Sequence, residues 1–171
     1  MEAFKEIRLH KQVILTLLGK PSGPYGQKIV RQFKSLQRSN LEIQTYDHFI
    51  EQEYFDEMLK QSDFLILPIS RYMKVSIFKE INGFTCVSGN VNDMMRFAIP
   101  SLISDFYPLD KELKDLTQSF NSATELRRLV ESWVNQNTYL EKRKNASALL
   151  SSHQLDHIAK DVKRDILKLI T

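Results

Sequence analysis

Ser88, Gly89 and Asn90 stand directly ahead of a run in which Val91, Met94, Met95 and Ala98 recur at helical spacing. That combination suits an anion. Small residues leave the backbone unobstructed, and a helix starting there presents unpaired N–H groups and the positive end of its dipole. Pro100 is expected to stop the helix just before the β-prone pair Leu102 and Ile103. Lys20, beside Gly19 at the end of an apolar run, and Lys74 or Lys79 can add positive charge; the alternative for each is a solvated surface lysine. Tyr46 and His48 fall at the carboxyl end of an alternating segment, where open parallel sheets place ligands. A general base is the lesser role for His48, since nothing in the sequence gives it a partner, and His10, His153 and His157 fall in helical contexts. There is no Ser-His-Asp set, Walker loop or GxGxxG pattern: Gly19 and Gly23 lack the further glycine and the acid downstream.

Residues 93–100 (Asp-Met-Met-Arg-Phe-Ala-Ile-Pro) resemble the signature of the retaining glycosyltransferases of the GT-B fold, in the second half of their nucleotide-sugar-binding domain. There an acid precedes Ala-Met-Ala, one residue, Gly, one residue and Pro, and a strand comes next. In the resemblance Asp93 takes the place of a ribose-binding glutamate and Ala98 that of the glycine. Thr85 stands eight positions earlier, where the family carries another glutamate, and Ser88-Gly89 is similar to the branch with Ser-Gly at this turn. Residues 54–68 are also similar to the family's helix, acid-ended turn and buried strand closing on proline, here Pro68. The resemblance implies a nucleotide-sugar as substrate rather than any cofactor, and no metal. It implies that Ser88, Gly89 and Asn90 hold the leaving diphosphate, with Gly19 and Lys20 contributing to the same donor site. Asp93 would accept ribose hydroxyls, an acid in a first helical turn being otherwise plain dipole chemistry. Tyr46 or His48 would touch the base.

These residues need elements to place them. Residues 13–18 are apolar throughout and end in Gly-Lys-Pro-Ser-Gly-Pro, the profile of a buried strand and loop. Pro24 then suits a first helical position, with Tyr25, Ile29, Val30, Phe33 and Leu36 on one apolar face. Residues 41–46 alternate as a half-buried strand. Residues 51–61 form a helix that turns Tyr54, Phe55, Met58 and Leu59 inward, and residues 64–68 and 101–104 are further strands. Such alternation predicts parallel pairing in a Rossmann-like three-layer α/β domain with helices on both faces. Residues 69–87 read as a long loop, with a short helix around 76–81 and residues 83–87 open to a strand. Ser122 and Glu125 have capping-box spacing, so a helix is expected over 124–135, with others over 139–150 and from 151 or 152 onward. The chain is thus expected to be one domain, α/β over about residues 12–120 with a helical tail over 121–171.

At 171 residues, 42% hydrophobic and 26% charged, the composition is that of an ordinary globular domain. A net charge of +3 is too small to argue for nucleic acid. The single Cys86 cannot form an internal disulfide and has no metal-ligand companion. No apolar run reaches the roughly 20 residues of a bilayer span, and residues 1–11 are too charged for a signal peptide. The expected compartment is the cytoplasm, free or at the inner face of the membrane.

A complete enzyme of the resembled family has an N-terminal Rossmann half for the acceptor, and an Arg and a Lys on the first strand and loop of its second half. Here residues 1–10 read as the helix after that strand. The chain is therefore expected to be either a fragment or a natural short form, with an N-terminal glycosyltransferase domain or self-association as partner. An exposed apolar patch is expected at residues 1–13. The leading function is the donor-binding half of an enzyme moving sugar to a polysaccharide or lipid-linked acceptor, inactive alone. A non-catalytic interaction domain of the same fold is the alternative, and a sugar-nucleotide epimerase a lesser one.

Overall fold

The computed structural model describes residues 1–75, 77–109 and 111–144. The elements run α1 (Glu2–Lys5), β1 (Val13–Leu17), α2 (Gly23–Lys34), β2 (Leu41–Thr45), α3 (Gln52–Gln61), β3 (Leu65–Leu67), β4 (Tyr72–Val75) and β5 (Phe78–Ile81). Next come α4 (Gly89–Phe97), β6 (Ser101–Ser104), α5 (Lys111–Leu116), β7 (Thr117–Phe120), α6 (Ala123–Gln136) and α7 (Tyr139–Lys144). The described residues fall into two compact units, residues 1–62 with 120–139, and residues 63–119 with 140–144. Both contain parallel strands and helices. The four strands expected to be parallel do pair so, as β1 with β2 and β3 with β6. They belong to separate small sheets, one of order β1-β2 and one of order β3-β6-β7.

In the first unit, β1 and β2 run in register from Val13 opposite Leu41 to Leu17 opposite Thr45. Leu41 and Ile43 are buried on one face of β2 while Glu42 faces water, the period-2 pattern of a half-buried strand. β1 departs from its expected full burial. None of its five residues is fully buried and Ile14 is exposed, because β1 has a single strand neighbour. Tyr25 on α2 and Tyr54 on α3 are likewise exposed, whereas Ile29, Val30, Phe33, Phe55 and Met58 are half-buried and Leu59 is buried.

α6 supplies the largest buried side chain of this unit, Trp133, together with Leu126, Leu129, Val130 and Val134. Its start is capped by Ser122 Oγ, which accepts from the Glu125 N–H at 3.2 Å, while the Glu125 carboxylate accepts from the Asn121 N–H at 2.9 Å. That is the expected capping box, with the reciprocal bond shifted one residue outward. Asn137 closes the helix in the left-handed conformation, φ 57°.

α1 packs on α6, and the chain after α1 is irregular where a continuous helix was expected. Ile7 and Leu9 are buried and Arg8 and His10 are exposed, the alternation of a strand, yet among the described residues no strand pairs with them. Side chains replace it. The carbonyls of Ile7 and Leu9 accept from Arg38 Nη2 at 2.5 Å and Asn40 Nδ2 at 2.6 Å. From α6, Glu131 accepts the Arg8 N–H at 2.7 Å, and the Asn135 amide both donates to the Arg8 carbonyl and accepts from the His10 N–H, each at 2.8 Å. Asn135 thus imitates one peptide group of a partner strand. The expected apolar patch at the N-terminus is absent for the same reason: Ala3, Phe4, Ile7 and Leu9 are all buried.

In the second unit, β3 and β6 pair from Leu65 opposite Ser101 to Leu67 opposite Ile103, and α4 packs on β3. Val91 and Met94 of α4 meet Leu67, Ile103, Tyr107 and Leu113 in one core cluster. α4 ends before Pro100 is reached. Ala98 takes the left-handed conformation, φ 47°, and the Ile99 N–H returns to the Met94 carbonyl at 3.2 Å. Alanine costs about 1–2 kcal/mol there relative to an ordinary conformation. Its methyl group is buried against Leu116, an apolar contact glycine would lack.

Residues 69–87 are not a loop with a helix. β4 and β5 form an antiparallel hairpin, Tyr72 opposite Ile81 and Val75 opposite Phe78, and the segment after it makes an isolated bridge between Asn82 and Cys86. α5 and β7 have no counterpart in the sequence expectations. The helices expected beyond residue 144, with His153 and His157, lie outside the described residues.

Replacing Asn135 by Ala removes two bonds to the N-terminal chain and is expected to cost about 1–3 kcal/mol, read by urea unfolding. Asn137→Ala is expected to cost about 1 kcal/mol and Asn137→Gly much less, since only glycine tolerates that backbone freely.

Candidate functional site

α4 begins from Ser88, which is extended at φ −75°, ψ 128° and whose side chain makes no capping bond. The Ser88 carbonyl accepts the Val91 N–H at 3.0 Å and the Asn92 N–H at 3.4 Å, so the Gly89 and Asn90 amides stand at the open end of the helix. A Cβ built on Gly89 would meet nothing within 4 Å. Gly89 and Asn90 are both exposed. Asp93 falls in the second turn of α4 and not in the first as expected; it is half-buried and has an interaction partner within the protein.

The Ser88 N–H is 3.4 Å from the Tyr107 hydroxyl, a long hydrogen bond that links the start of α4 to the segment after β6. That segment lines a cleft of about 440 Å³ with Asp105, Phe106, Tyr107, Pro108, Leu109, Lys114, Thr117 and Ser119. The size is that of a small-molecule site, and the place is the carboxyl end of a parallel strand. One wall is held from behind. Gly83, at φ 84°, packs so closely on Pro108 that any Cβ would overlap it, and Asn82 Nδ2 donates to the Ser70 carbonyl at 2.7 Å. Asp105 and Lys114 are the charged groups of the cleft, and sequence reasoning passed over both. The signal was available, since Asp105 is the residue immediately after β6.

In the first unit, Gly19 (φ 146°) and Lys20 are exposed just past β1, and Tyr46 directly follows β2. The Tyr46 ring lies edge-on to both His48 and Tyr54, centroids 6.1 Å apart in each case. Burial, and secondarily the Tyr54 hydroxyl 3.5 Å away, push the Tyr46 phenol up to about 12. His48 does have a partner: its Nδ1 is 2.9 Å from Asp47 Oδ1. That contact holds the Asp47 carboxyl below its ordinary range. Both side chains are largely in water, so the pair contributes little to stability.

Lys74 and Lys79 face each other across the β4–β5 hairpin. Cys86 is half-buried with Sγ 3.4 Å from Asn82 Oδ1, a packing role. Among the described residues no group of three His, Cys, Asp or Glu side chains could hold a metal, and no helix is long and apolar enough to cross a membrane. No protein-family model, curated protein or solved structure matches the chain.

The raised Tyr46 phenol has a measurable consequence. In the folded state it keeps its proton above pH 10, where an unfolded tyrosine loses it, so its stabilising contribution is complete below pH 10 and falls as pH rises toward 12. Ultraviolet titration is expected to show the Tyr46 phenol titrating late, and Tyr54→Phe should bring it part of the way back toward 10.

Proposed function

We propose that the chain is the nucleotide-sugar-binding half of a glycosyltransferase, a Rossmann-like domain that holds the donor and transfers no sugar without an acceptor-binding partner domain. The observation that supports this reading is the open start of α4 beside the cleft at the end of β6, joined by the contact of Ser88 with Tyr107.

In this reading the amides of Gly89 and Asn90 receive the diphosphate, and the helix dipole stabilises the charge that grows on it as the glycosidic bond breaks. Lys114 adds a cation from the cleft. The Asp105 carboxylate and the hydroxyls of Thr117 and Ser119 are groups of the kind that bind ribose or sugar hydroxyls. Aromatic Phe106 and Tyr107 offer faces to a base. Asp93 supports this site from the second turn of α4.

A second reading, a non-catalytic interaction domain, draws on Thr85. Its hydroxyl is engaged by the Glu80 carboxylate and accepts from the Ile81 N–H at 2.8 Å, so the position where the resembled family carries an acid is committed to the hairpin base.

Calorimetric titration of uridine and guanosine diphosphates decides between them. Wild type is expected to bind at least one. Gly89→Val, which places its side chain in open space and therefore spares the fold, is expected to weaken binding about tenfold or more by blocking the amides. Lys114→Gln should also weaken it. Equal binding by all three proteins places the site elsewhere, and absence of binding by wild type transfers the case to the interaction domain.

A further inference from the structure

Six of the exposed large apolar side chains among the described residues fall within residues 72–87: Tyr72, Met73, Ile77, Phe78, Phe84 and Val87. Ile77 and Phe78, at the turn end of the hairpin, are 81% and 66% exposed. Such a concentration marks an interaction surface. Among the described elements, β4 and β5 have no substantial packing neighbour but each other, so Ile77 and Phe78 project free of the core.

The hairpin sets two cations side by side. Lys74 and Lys79 are direct register partners, and like charges placed opposite one another in an antiparallel pair destabilise it. Lys79 gains partial relief from the Tyr72 ring, with Nζ 3.9 Å from the centroid. Arg71, at the hairpin base, instead lies over the Phe106 ring, 5.9 Å from the centroid. Glu80, the acid of the two strands, is engaged with Thr85 at the base. The base itself is fixed by Asn82 on the Ser70 carbonyl, so the hairpin is anchored at one end and carries apolar groups at the other.

We propose that this hairpin is an anchor for an anionic lipid surface. Ile77 and Phe78 enter the acyl boundary, while Lys74 and Lys79 stay at the headgroup level and share a phosphate, which removes their mutual repulsion. An apolar tip backed by paired cations matches the layering of a bilayer interface, apolar inside and anionic outside. A protein partner would instead have to offer a pocket for the tip and acids around it. The inference stands apart from the nucleotide reading, in which neither Ile77 nor Phe78 takes part.

The test is sedimentation of the full chain with vesicles of phosphatidylcholine alone and of equal parts phosphatidylcholine and phosphatidylglycerol. The chain is expected to pellet with the mixed vesicles and not with the neutral ones, and to be released by raised salt. Each of Lys74→Gln and Lys79→Gln should weaken binding about fivefold. Ile77→Asp with Phe78→Asp should abolish it while leaving the thermal midpoint unchanged, both side chains being exposed. The proposal is overturned if wild type stays in solution with the mixed vesicles, or if the double aspartate variant pellets as wild type does. It is equally overturned if wild type is a dimer that the aspartates convert to monomer without any change in vesicle binding, since the occupant is then a second copy.

Discussion

Every buried peptide group must find a hydrogen-bond partner, and a chain built on very small sheets has few strand edges with which to provide them. Residues 7–10 meet that constraint through side chains. Arg38 and Asn40 serve one side of this segment and Glu131 and Asn135 the other. Ile7 and Leu9 can be buried only because their carbonyls are so provided for. The core under α6, around Trp133, depends on it, since α1 and this segment cover that helix. The second unit solves the same problem differently: a three-stranded sheet takes the buried strand β6 into its centre, so all four of its residues can be buried.

Much of this was legible in the residues. Apolar runs and period-2 alternation located β1, β2, β3 and β6, and 3.6-period faces with capping signals located α4 and α6, because in each case one residue pattern serves one regular element. The hairpin was not legible. Ser76 and Ile77, the pair between its strands, are not the Asn-Gly or Asp-Gly that signals a tight hairpin, and the strands mix lysines with apolar residues that the fold leaves in water. The segment after α1 was hidden for another reason: its partners lie roughly thirty and more than a hundred residues away, a distance no local pattern encodes.

The candidate site divides along the same line. The open helix start at Ser88 and Gly89 could be read from small residues ahead of a helical face. Tyr107 and Lys114 could not, because they reach the cleft through α5 and the chain around it, elements with weak signals of their own. Ala98 shows how a departure from a pattern can be explained by packing. Where the resembled signature has glycine, a left-handed alanine fits because its methyl group finds Leu116.

The discontinuous make-up of the first unit has a consequence for how the protein is made. Asn135 and Glu131 leave the ribosome long after Arg8 and His10, so the N-terminal segment emerges with its peptide groups unmatched. It must wait until α6 has been synthesised. The core cluster between Leu67 and Leu113 is complete well before then. Synthesis therefore reverses the usual order, with the interior of the chain able to settle first and the earliest residues last.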